Sequence, residues 1–414
     1  MRLAILVLGL GALASLDPPV LRTEGFDRDP RWEARNARSP DVRHIVQDFG
    51  WSPTSHAGGA AGEIGGLITA AAEPAWCARR IRPRTLEDTL YASGRLACTG
   101  RAFHVLLGFF NRGTLNEWRT PNTVAIRLLG RGDRFYAYVE YCTSRWRAGG
   151  DSPGGFASVP DPRSGRLQLK GFPRGAHLRW TLRYDPGAHG GAGEVRVDLG
   201  GETAVCHLDP GHRQDGARFT HFGLVNVLKS ADDAGEVWID DVEVDGRLED
   251  FSRDPRWDFL NNRRTYETGF IRPRWDFGFS PTRFAGGRAP GEIGGRVFRG
   301  DCREAQKLAC YAAPVGPVGL DRPLEAGGRV SLHRGVSDST ALIGFFDSRE
   351  SLRVHDSQSQ ALPRSFLGVM IEGPSSEGFL FRPAWSLSRP GVHAIGGLES
   401  PRIYPDRSHH SWRA

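Results

Sequence analysis

Lysine is scarce in this sequence. It supplies three of the 54 basic residues, at Lys170, Lys229 and Lys307, and arginine supplies the others. The arginines are spread along the whole chain among 48 acidic residues, and the net charge is +6. A nucleic-acid-binding face needs a concentrated basic stripe, because affinity follows the number of phosphates that are neutralised together. The sequence has no such stripe and therefore predicts no nucleic-acid partner.

Several catalytic motifs are also missing. The sequence has no H-E-x-x-H, no G-x-S-x-G and no G-x-x-x-x-G-K-[ST], and its cysteines and histidines do not cluster at zinc-binding spacing. These absences argue against a zinc metalloprotease, an α/β-hydrolase and a phosphate-loop nucleotidase.

Long hydrophobic runs are absent after the first 14 residues, so the sequence predicts no membrane span. Residues 1–14, MRLAILVLGLGALA, combine an early Arg2, a short apolar run and small residues before Ser15. This pattern is typical of a signal peptide cleaved before Ser15, and the alternative is an apolar N-terminal strand or helix. We expect a secreted, periplasmic or cell-surface protein.

Cysteine is sparse, with six residues in 414. In an oxidising compartment the simplest disulfide joins Cys302 and Cys310, which are close in sequence and alone in their half of the chain. The other four cysteines allow three disulfide connectivities, and all of these remain open. The alternative is that the cysteines are buried free thiols. The four are Cys77, Cys98, Cys142 and Cys206.

An internal repeat is the strongest positive signal. Three blocks recur with a period of about 225 residues, which is too long for a solenoid and predicts two tandem domains. The blocks are FDRDPRWE (26–33) and FSRDPRWD (251–258), DFGWSPT (48–54) and DFGFSPT (276–282), and GEIGG at 62–66 and 291–295. We call residues 25–246 the first copy and residues 250–414 the second copy.

The second copy is the shorter one. FTHFGLVNVLKS (219–230) and EVWIDDVEVDG (236–246) in the first copy have no counterpart in the second. The expectation is a second domain that is truncated at its C-terminus; the alternatives are that this domain is unstable or that something else completes it.

Period-two alternation dominates the first copy. In FYAYVEYC (135–142), HLRWTLRY (177–184) and EVRVDL (194–199), apolar residues alternate with polar or second-face residues. Such alternation between Gly/Pro turns indicates half-buried antiparallel strands, and no long amphipathic helix is apparent. Two face-to-face sheets in each domain are the natural outcome.

The blocks carry a resemblance to a known superfamily. HFGLVN…GEVWIDDVEVDG resembles the closing strands of concanavalin A-like lectin/glucanase jelly rolls. The RDPRW…DFG(W/F)SPT…GEIGG block is similar to one in uncharacterised secreted bacterial proteins of that superfamily. The resemblance implies an all-β fold of two tandem concanavalin A-like jelly-roll β-sandwiches, the second truncated. It implies carbohydrate binding, glycoside hydrolysis, polysaccharide lysis or adhesion without choosing among them.

Catalytic carboxylates are hard to find. Glucanases of this fold carry E-x-D-x-E on one strand, and that motif is absent here. The nearest candidates are Asp241 and Glu243, which an extended strand places about 6.7 Å apart. The alternative is that they line the solvent face of the last strand, with Val242 and Val244 turned inward.

Asp240 is a candidate ligand of structural Ca²⁺. Strict alternation places it on the same face as Trp238 and Val242, and a buried carboxylate needs a cation or hydrogen bonds. The alternative is an Asp that accepts backbone N–H bonds at a bulge.

Candidate ligand-binding residues come from the repeat and from loops. Asp48, Glu63 and Trp51 could line a cleft, with equivalents Asp276, Glu292 and Phe279. The alternative is that these blocks preserve strand pairing and Gly turns. Trp118 and Trp146, in Arg- and Gly-rich loops, are candidate sugar platforms.

The leading functional hypothesis is therefore non-catalytic binding of a polysaccharide or cell-surface glycan, with structural Ca²⁺ as the candidate cofactor. The first alternative is a glycoside hydrolase or polysaccharide lyase with divergent carboxylates. The second is a structural or adhesive surface spacer.

Overall fold

The computed structural model describes residues 22–38, 42–115, 120–150, 156–228, 233–269, 275–297, 303–335, 339–354, 362–373, 377–389 and 391–414. The predicted signal peptide, Trp118 and Cys302 lie outside these residues. Strand is the dominant regular structure of the described chain, and very little of the chain is helical. Its helices are short: α1 (Ala188–Gly191), α2 (His212–Asp215) and a 3-10 turn at Ala305–Lys307.

The strands up to residue 142 are β1 (Glu33–Arg35), β2 (Val42–Ser52), β3 (Glu63–Thr69), β4 (Trp76–Thr85), β5 (Leu90–Cys98), β6 (Ala102–Phe110), β7 (Thr123–Arg131) and β8 (Arg134–Cys142). Those from there to residue 249 are β9 (Ala148–Gly149), β10 (Ser158–Pro160), β11 (Leu167–Leu169), β12 (Phe172–Pro173), β13 (Leu178–Asp185), β14 (Glu194–Leu199), β15 (Glu202–His207), β16 (Arg218–Asn226), β17 (Ala234–Val244) and β18 (Arg247–Glu249).

The remaining strands are β19 (Asp258–Leu260), β20 (Arg263–Gly269), β21 (Asp276–Ser280), β22 (Glu292–Arg296), β23 (Cys310–Ala312), β24 (Gly327–Val330), β25 (Thr340–Phe346), β26 (Phe366–Glu372), β27 (Leu380–Ser386), β28 (His393–Ile395) and β29 (His410–Arg413).

Two large antiparallel sheets contain most of the strands before residue 270. The eight-stranded sheet has the order β12-β8-β7-β6-β16-β4-β19, with β9 beside β8. The nine-stranded sheet has the order β15-β14-β13-β5-β17-β3-β2-β20, with β18 beside β17. Strands β19 and β20, which follow the second RDPRW block, are therefore edge strands of these two sheets.

One hydrophobic core joins the two large sheets. It contains Phe135, Val139 and Phe222 from the eight-stranded sheet and Trp180 and Val242 from the nine-stranded sheet. The Trp180 and Phe222 rings stack across it with centroids 5.9 Å apart. These sheets form a β-sandwich because each buries its alternating apolar face against the other.

Smaller sheets hold the strands after residue 275. β25 to β28 form a four-stranded antiparallel sheet, while β21 pairs with β22 and β24 with β29. β1, from the start of the chain, pairs with β23.

The structure confirms the predicted all-β class and the three strands predicted from alternation, which appear as β8, β13 and β14. Of the alternating apolar residues in these strands, Phe135, Tyr141 and Tyr184 are buried in the core, and Leu178 is half-buried against it. The division into domains at residues 25–246 and 250–414 stays a prediction. Among the described residues, no helix is long and apolar enough to cross a membrane.

Candidate functional site

Glu63 organises the loop that precedes it. Its carboxylate is fully buried and accepts hydrogen bonds from Thr54 Oγ1 (2.6 Å), the His56 N–H (2.7 Å) and the Ala57 N–H (2.7 Å). Three donors satisfy a buried carboxylate that would otherwise be costly to desolvate. Glu63 therefore holds its own loop and has no exposed surface for a ligand.

Glu292 repeats this arrangement in the second copy. It accepts hydrogen bonds from Thr282 Oγ1 (2.5 Å), the Phe284 N–H (2.8 Å) and the Ala285 N–H (2.7 Å). Burial acts to raise the pKa of Glu292, but these hydrogen bonds outweigh it and hold the pKa below its usual value. The recurrence of Glu in the two G-E-I-G-G blocks thus has a structural reason.

Asp48 and Trp51 lie on β2 but are not gathered with Glu63 at a common surface. Asp48 is exposed and faces Arg263 at 3.8 Å. Trp51 is half-buried against the core and donates its indole N–H to the Phe251 carbonyl at 2.9 Å. Their roles in ligand binding stay predictions.

The acidic strand β17 carries a bulge. The pairing of β17 with β5 shifts register between Asp240 and Glu243, and Asp241 has a φ of 49°. Asp241 is paired with Arg95 at 2.6 Å, while Val242 and Val244 are buried in the core. Asp241 and Glu243 thus lie on the opposite side of the strand from the core.

Asp240 is buried at this bulge and accepts the Asp241 N–H at 2.7 Å. Burial raises the pKa of Asp240 to about 6. In the part of the chain that the structure describes, no three His, Cys, Asp or Glu side chains converge to hold a metal ion. The backbone hydrogen bond fits the bulge alternative, and calcium at Asp240 stays a prediction.

The two candidate sugar platforms have different outcomes. Trp118 lies outside the described residues. Trp146 is half-buried and stacks on Tyr404, with ring centroids 5.9 Å apart, beside a cluster that contains Phe379 and Ile403. One face of its ring is therefore occupied within the chain, and its role as a sugar platform stays a prediction.

The predicted disulfide stays untested, because Cys302 lies outside the described residues. Cys310 is half-buried on β23, and burial raises the pKa of its thiol. Cys77 and Cys98 are buried thiols in the core.

The face of the eight-stranded sheet that points away from the core has an apolar middle. Trp76, Leu106, Phe110, Ala125 and Val225 form a second buried cluster there. We call this surface the outer face. A row of small residues crosses its middle, because Ala125, Gly108, Gly223 and Ala78 are paired side by side on β7, β6, β16 and β4.

Two carboxylates end this row. Glu140 on β8 pairs with Ala125, and Asp258 on β19 pairs with Ala78. Five strand spacings separate them, which is roughly 24 Å at about 4.8 Å per spacing. Glycosidase carboxylates lie about 5–9.5 Å apart, so Glu140 and Asp258 cannot flank one glycosidic bond.

The Glu140 end contains a buried ion pair. Arg127 Nε lies 2.7 Å from Glu140 Oε2, and both side chains are almost completely buried. His104 Nε2 lies 3.2 Å from an Arg127 terminal nitrogen, and the Tyr138 ring packs 4.2 Å from the guanidinium carbon. This cluster ties β6, β7 and β8 together.

The Asp258 end opens into a cleft of about 560 Å³. Three aromatic residues and two arginines line it together with the Asp258 carboxylate. The lining comprises Trp76, Arg112, Gly113, Arg256, Trp257, Asp258, Phe259 and Leu260. Phe259 is 69% exposed, which is unusual for a phenylalanine in a folded chain.

Two further polar features belong to this cleft. The indole nitrogen of the buried Trp76 has no hydrogen-bond acceptor among the described residues. Behind the cleft, buried His221 lies 3.2 Å from Asp258 and between the Trp76 and Phe110 rings. Burial lowers the pKa of His221, although Asp258 acts in the opposite direction.

Sequence reasoning did not find the cleft. Its residues come from β4, from the loop after β6 and from the stretch that contains β19, which are far apart in sequence. One local signal pointed to the outer face: Arg127 interrupts the apolar strand TVAIRLLGR, as expected for a buried, paired charge.

No protein-family model and no curated protein matches this chain. Similar solved structures include an alginate lyase from Pseudomonas aeruginosa, at 11% identity over 51% of this chain and 88% of that one, with a TM-score of 0.24. The basic winged bean lectin with Tn-antigen shows 8% identity over 50% and 100%, with a TM-score of 0.23. An endo-1,3-beta-glucanase from Streptomyces sioyaensis shows 12% identity over 55% and 88%, with a TM-score of 0.22. At such TM-scores these likenesses carry no argument about ligand or activity.

Proposed function

We propose that this protein binds a glycan without cleaving it, and that the cleft beside Asp258 is the binding site. The observation that carries the proposal is the composition of this cleft, which combines Trp76, Trp257 and Phe259 with Arg112 and Arg256. An exposed aromatic ring can bury the apolar face of a sugar, and Phe259 offers such a ring, while Trp76 and Trp257 are buried behind it. Guanidinium groups bind carboxylates through paired N–H donors. We therefore expect an acidic sugar, such as a uronate.

The absence of hydrolysis rests on the carboxylates. Among the described residues that line the cleft, Asp258 carries the one carboxylate, and it already faces His221. Glycoside hydrolysis usually needs a second carboxylate within about 9.5 Å on the other side of the bond. The cleft therefore favours binding over hydrolysis.

The first test is binding of soluble polygalacturonate and alginate to the full chain, with neutral dextran for comparison. We expect the acidic polymers to bind and the affinity to fall as salt is raised, because salt screens partly exposed charges. Phe259→Ala and Arg256→Gln should each weaken binding about tenfold, which is about 1.4 kcal/mol.

Matched controls exist elsewhere in the chain. Phe284 is also exposed (56%), and Arg31 occupies the position in the first RDPRW block that Arg256 occupies in the second. Phe284→Ala and Arg31→Gln should leave binding unchanged. Equal binding by all four variants would contradict the proposed site.

The same mixtures test the catalytic alternative. Size-exclusion profiles of the polysaccharides after long incubation, with and without Ca²⁺, should show chains of unchanged length. Shortened chains would make the protein a glycoside hydrolase or lyase. Binding to none of the polymers would favour the spacer alternative.

The proposal includes export, which residues 1–14 support through their signal-peptide pattern. The mass of the protein recovered from the periplasm or medium should correspond to a chain that begins at Ser15. A chain that retains Met1 would contradict export by this route.

A further inference from the structure

Two equivalent segments of this chain dock crosswise. Segment 1 is residues 26–38 and segment 2 is residues 251–263, and each begins with F-x-R-D-P-R-W. Each docks on a cradle made from the D-F-G and G-E-I-G-G blocks and a neighbouring strand. Cradle 1 comprises residues 48–52, 62–66 and 76–78, and cradle 2 comprises 276–280, 291–295 and 310–312.

The two segments have the same local conformation. In each, the Phe and Trp rings meet edge to face, at 5.3 Å for Phe26 and Trp32 and at 5.2 Å for Phe251 and Trp257. The same three positions of each segment have a positive φ near 50–58°: Phe26, Arg31 and Asn36 in one, and Phe251, Arg256 and Asn261 in the other. Such values are uncommon outside glycine, so their recurrence marks one shared docking conformation.

Segment 2 docks on cradle 1. Trp51 donates its indole N–H to the Phe251 carbonyl, and the Phe49 N–H donates to the Asn262 carbonyl, both at 2.9 Å. The segment then continues as β19, which pairs with residues 76–78 of β4. Phe251 is completely buried in the main core.

Segment 1 docks on cradle 2. The Phe277 N–H donates to the Ala37 carbonyl at 2.9 Å, and β1 pairs with residues 310–312 of β23. The Trp32 ring lies 5.9 Å from the Tyr311 ring. A Cβ at position 291 would overlap the Phe26 carbonyl oxygen, just as one at position 62 would overlap that of Phe251.

The contacts are reciprocal. Arg38 and Arg263 each follow their segment's Trp by six residues, and Asp48 and Asp276 each open a D-F-G block. Arg38 pairs with Asp276 at 2.7 Å, and Arg263 faces Asp48 at 3.8 Å. Each contact thus occurs twice with the two copies exchanged, as in an isologous two-fold interface.

We propose that the F-x-R-D-P-R-W segment is an exchangeable docking element whose partner is a second copy of this chain. Within one chain the docked pairs form first, because tethering gives each segment a high effective concentration at its cradle. A segment that cannot dock at home occupies the equivalent cradle of another copy and joins two chains.

Complementation between two full-length variants tests this proposal. Gly291→Ala blocks cradle 2 and leaves segment 1 intact but undocked. The double variant Phe26→Ala/Trp32→Ala removes both anchoring rings of segment 1 and leaves cradle 2 empty. Each variant alone should be a monomer by size exclusion with light scattering, and an equimolar mixture should form a 1:1 dimer.

A control isolates the cradle. Adding Gly291→Ala to the Phe26→Ala/Trp32→Ala chain blocks its cradle 2, and this triple variant should form no dimer with the Gly291→Ala chain. Monomers alone in the first mixture, or a dimer with the triple variant, would overturn the proposal.

A peptide measurement covers the case in which Gly291→Ala does not fold. A fluorescent peptide of residues 22–38 should bind the Phe26→Ala/Trp32→Ala chain by anisotropy, and a peptide of residues 247–263 should compete for the same cradle. The 22–38 peptide with Trp32→Ala should bind at least tenfold more weakly. Failure of the unmodified peptide to bind, or equal binding of the Trp32→Ala peptide, would overturn the proposal.

Discussion

At the scale of single residues, the recurring Glu of the G-E-I-G-G blocks shows how a conspicuous carboxylate can be structural. Glu63 and Glu292 each accept two backbone N–H bonds and one threonine hydroxyl bond. An acidic residue beside glycines in a repeated motif suggests a ligand site when only the sequence is seen. The structure shows that both carboxylates are committed to their own loops.

Glu63→Gln should lower the free energy of unfolding by about 2–4 kcal/mol, because one acceptor oxygen becomes an N–H₂ that faces a backbone donor in a buried site. Glu292→Gln should cost less, since Glu292 is only half-buried. Urea denaturation of both variants measures the difference. Equal decreases in the free energy of unfolding would contradict the difference in burial between Glu63 and Glu292.

His221 predicts a dependence of stability on pH. Burial lowers the pKa of His221 below the ordinary value of about 6.5. Below pH 6.5 the unfolded chain therefore binds more protons than the folded chain, and the free energy of unfolding falls as the pH falls. Asp240, whose raised pKa of about 6 gives the opposite dependence, reduces the decline equally in the wild-type and variant chains. Urea midpoints at pH 7.5, 6.5 and 5.5 should therefore decline less in His221→Gln than in the wild-type chain, which is a flattening of the dependence on pH.

The flattening should be partial, because burial also lowers the pKa of His212. An unchanged slope in His221→Gln would show that His221 does not resist protonation in the folded protein.

At the scale of elements, the strands of the sandwich follow from alternation, but their neighbours do not. β7 and β8 are adjacent in sequence and pair, and Arg127 and Glu140 meet across them. Alternation placed Glu140 on the face opposite Phe135 and Val139, but it could not show that this face is also buried. That burial depends on what packs over the sheet.

Arg127→Met should destabilise the sandwich by about 3–5 kcal/mol, because the buried Glu140 carboxylate would lose its ion pair with Arg127. The double variant Arg127→Met/Glu140→Met should recover most of this loss, since both charges leave the interior together. Thermal and urea unfolding of the single and double variants give the comparison. A double variant no more stable than Arg127→Met would argue against a dominant ion-pair contribution.

At the scale of the whole molecule, the crosswise docking predicts which part of the fold each substitution destabilises. Phe251 belongs to the second RDPRW block but is buried in the core of the large sandwich, and Phe26 belongs to the first block but lies against Gly291. Phe251→Ala should therefore lower the free energy of unfolding by about 3–5 kcal/mol and speed hydrogen exchange in residues 42–69.

Phe26→Ala should instead speed hydrogen exchange in residues 276–312 and leave 42–69 protected. Phe26→Ala should also lower the free energy of unfolding less than Phe251→Ala does, because the Phe26 side chain is only half-buried. Crosswise docking would be contradicted if Phe26→Ala sped exchange in the first copy, or if Phe251→Ala sped exchange in the second copy. Mass spectrometry of the two variants distinguishes these patterns.

The sequence alone determined the all-β class, the positions of several strands and the repeat, because alternation and motif identity are local properties. Only the tertiary structure decided which copy each F-x-R-D-P-R-W segment docks on, since the two cradles present the same motifs. The cleft also follows only from the tertiary structure, because Trp76, Arg112 and Phe259 are spread over almost 200 residues of sequence and meet only in the fold. Such a site depends on long-range strand pairing, and period-two alternation specifies the face of a residue but not its neighbouring strand.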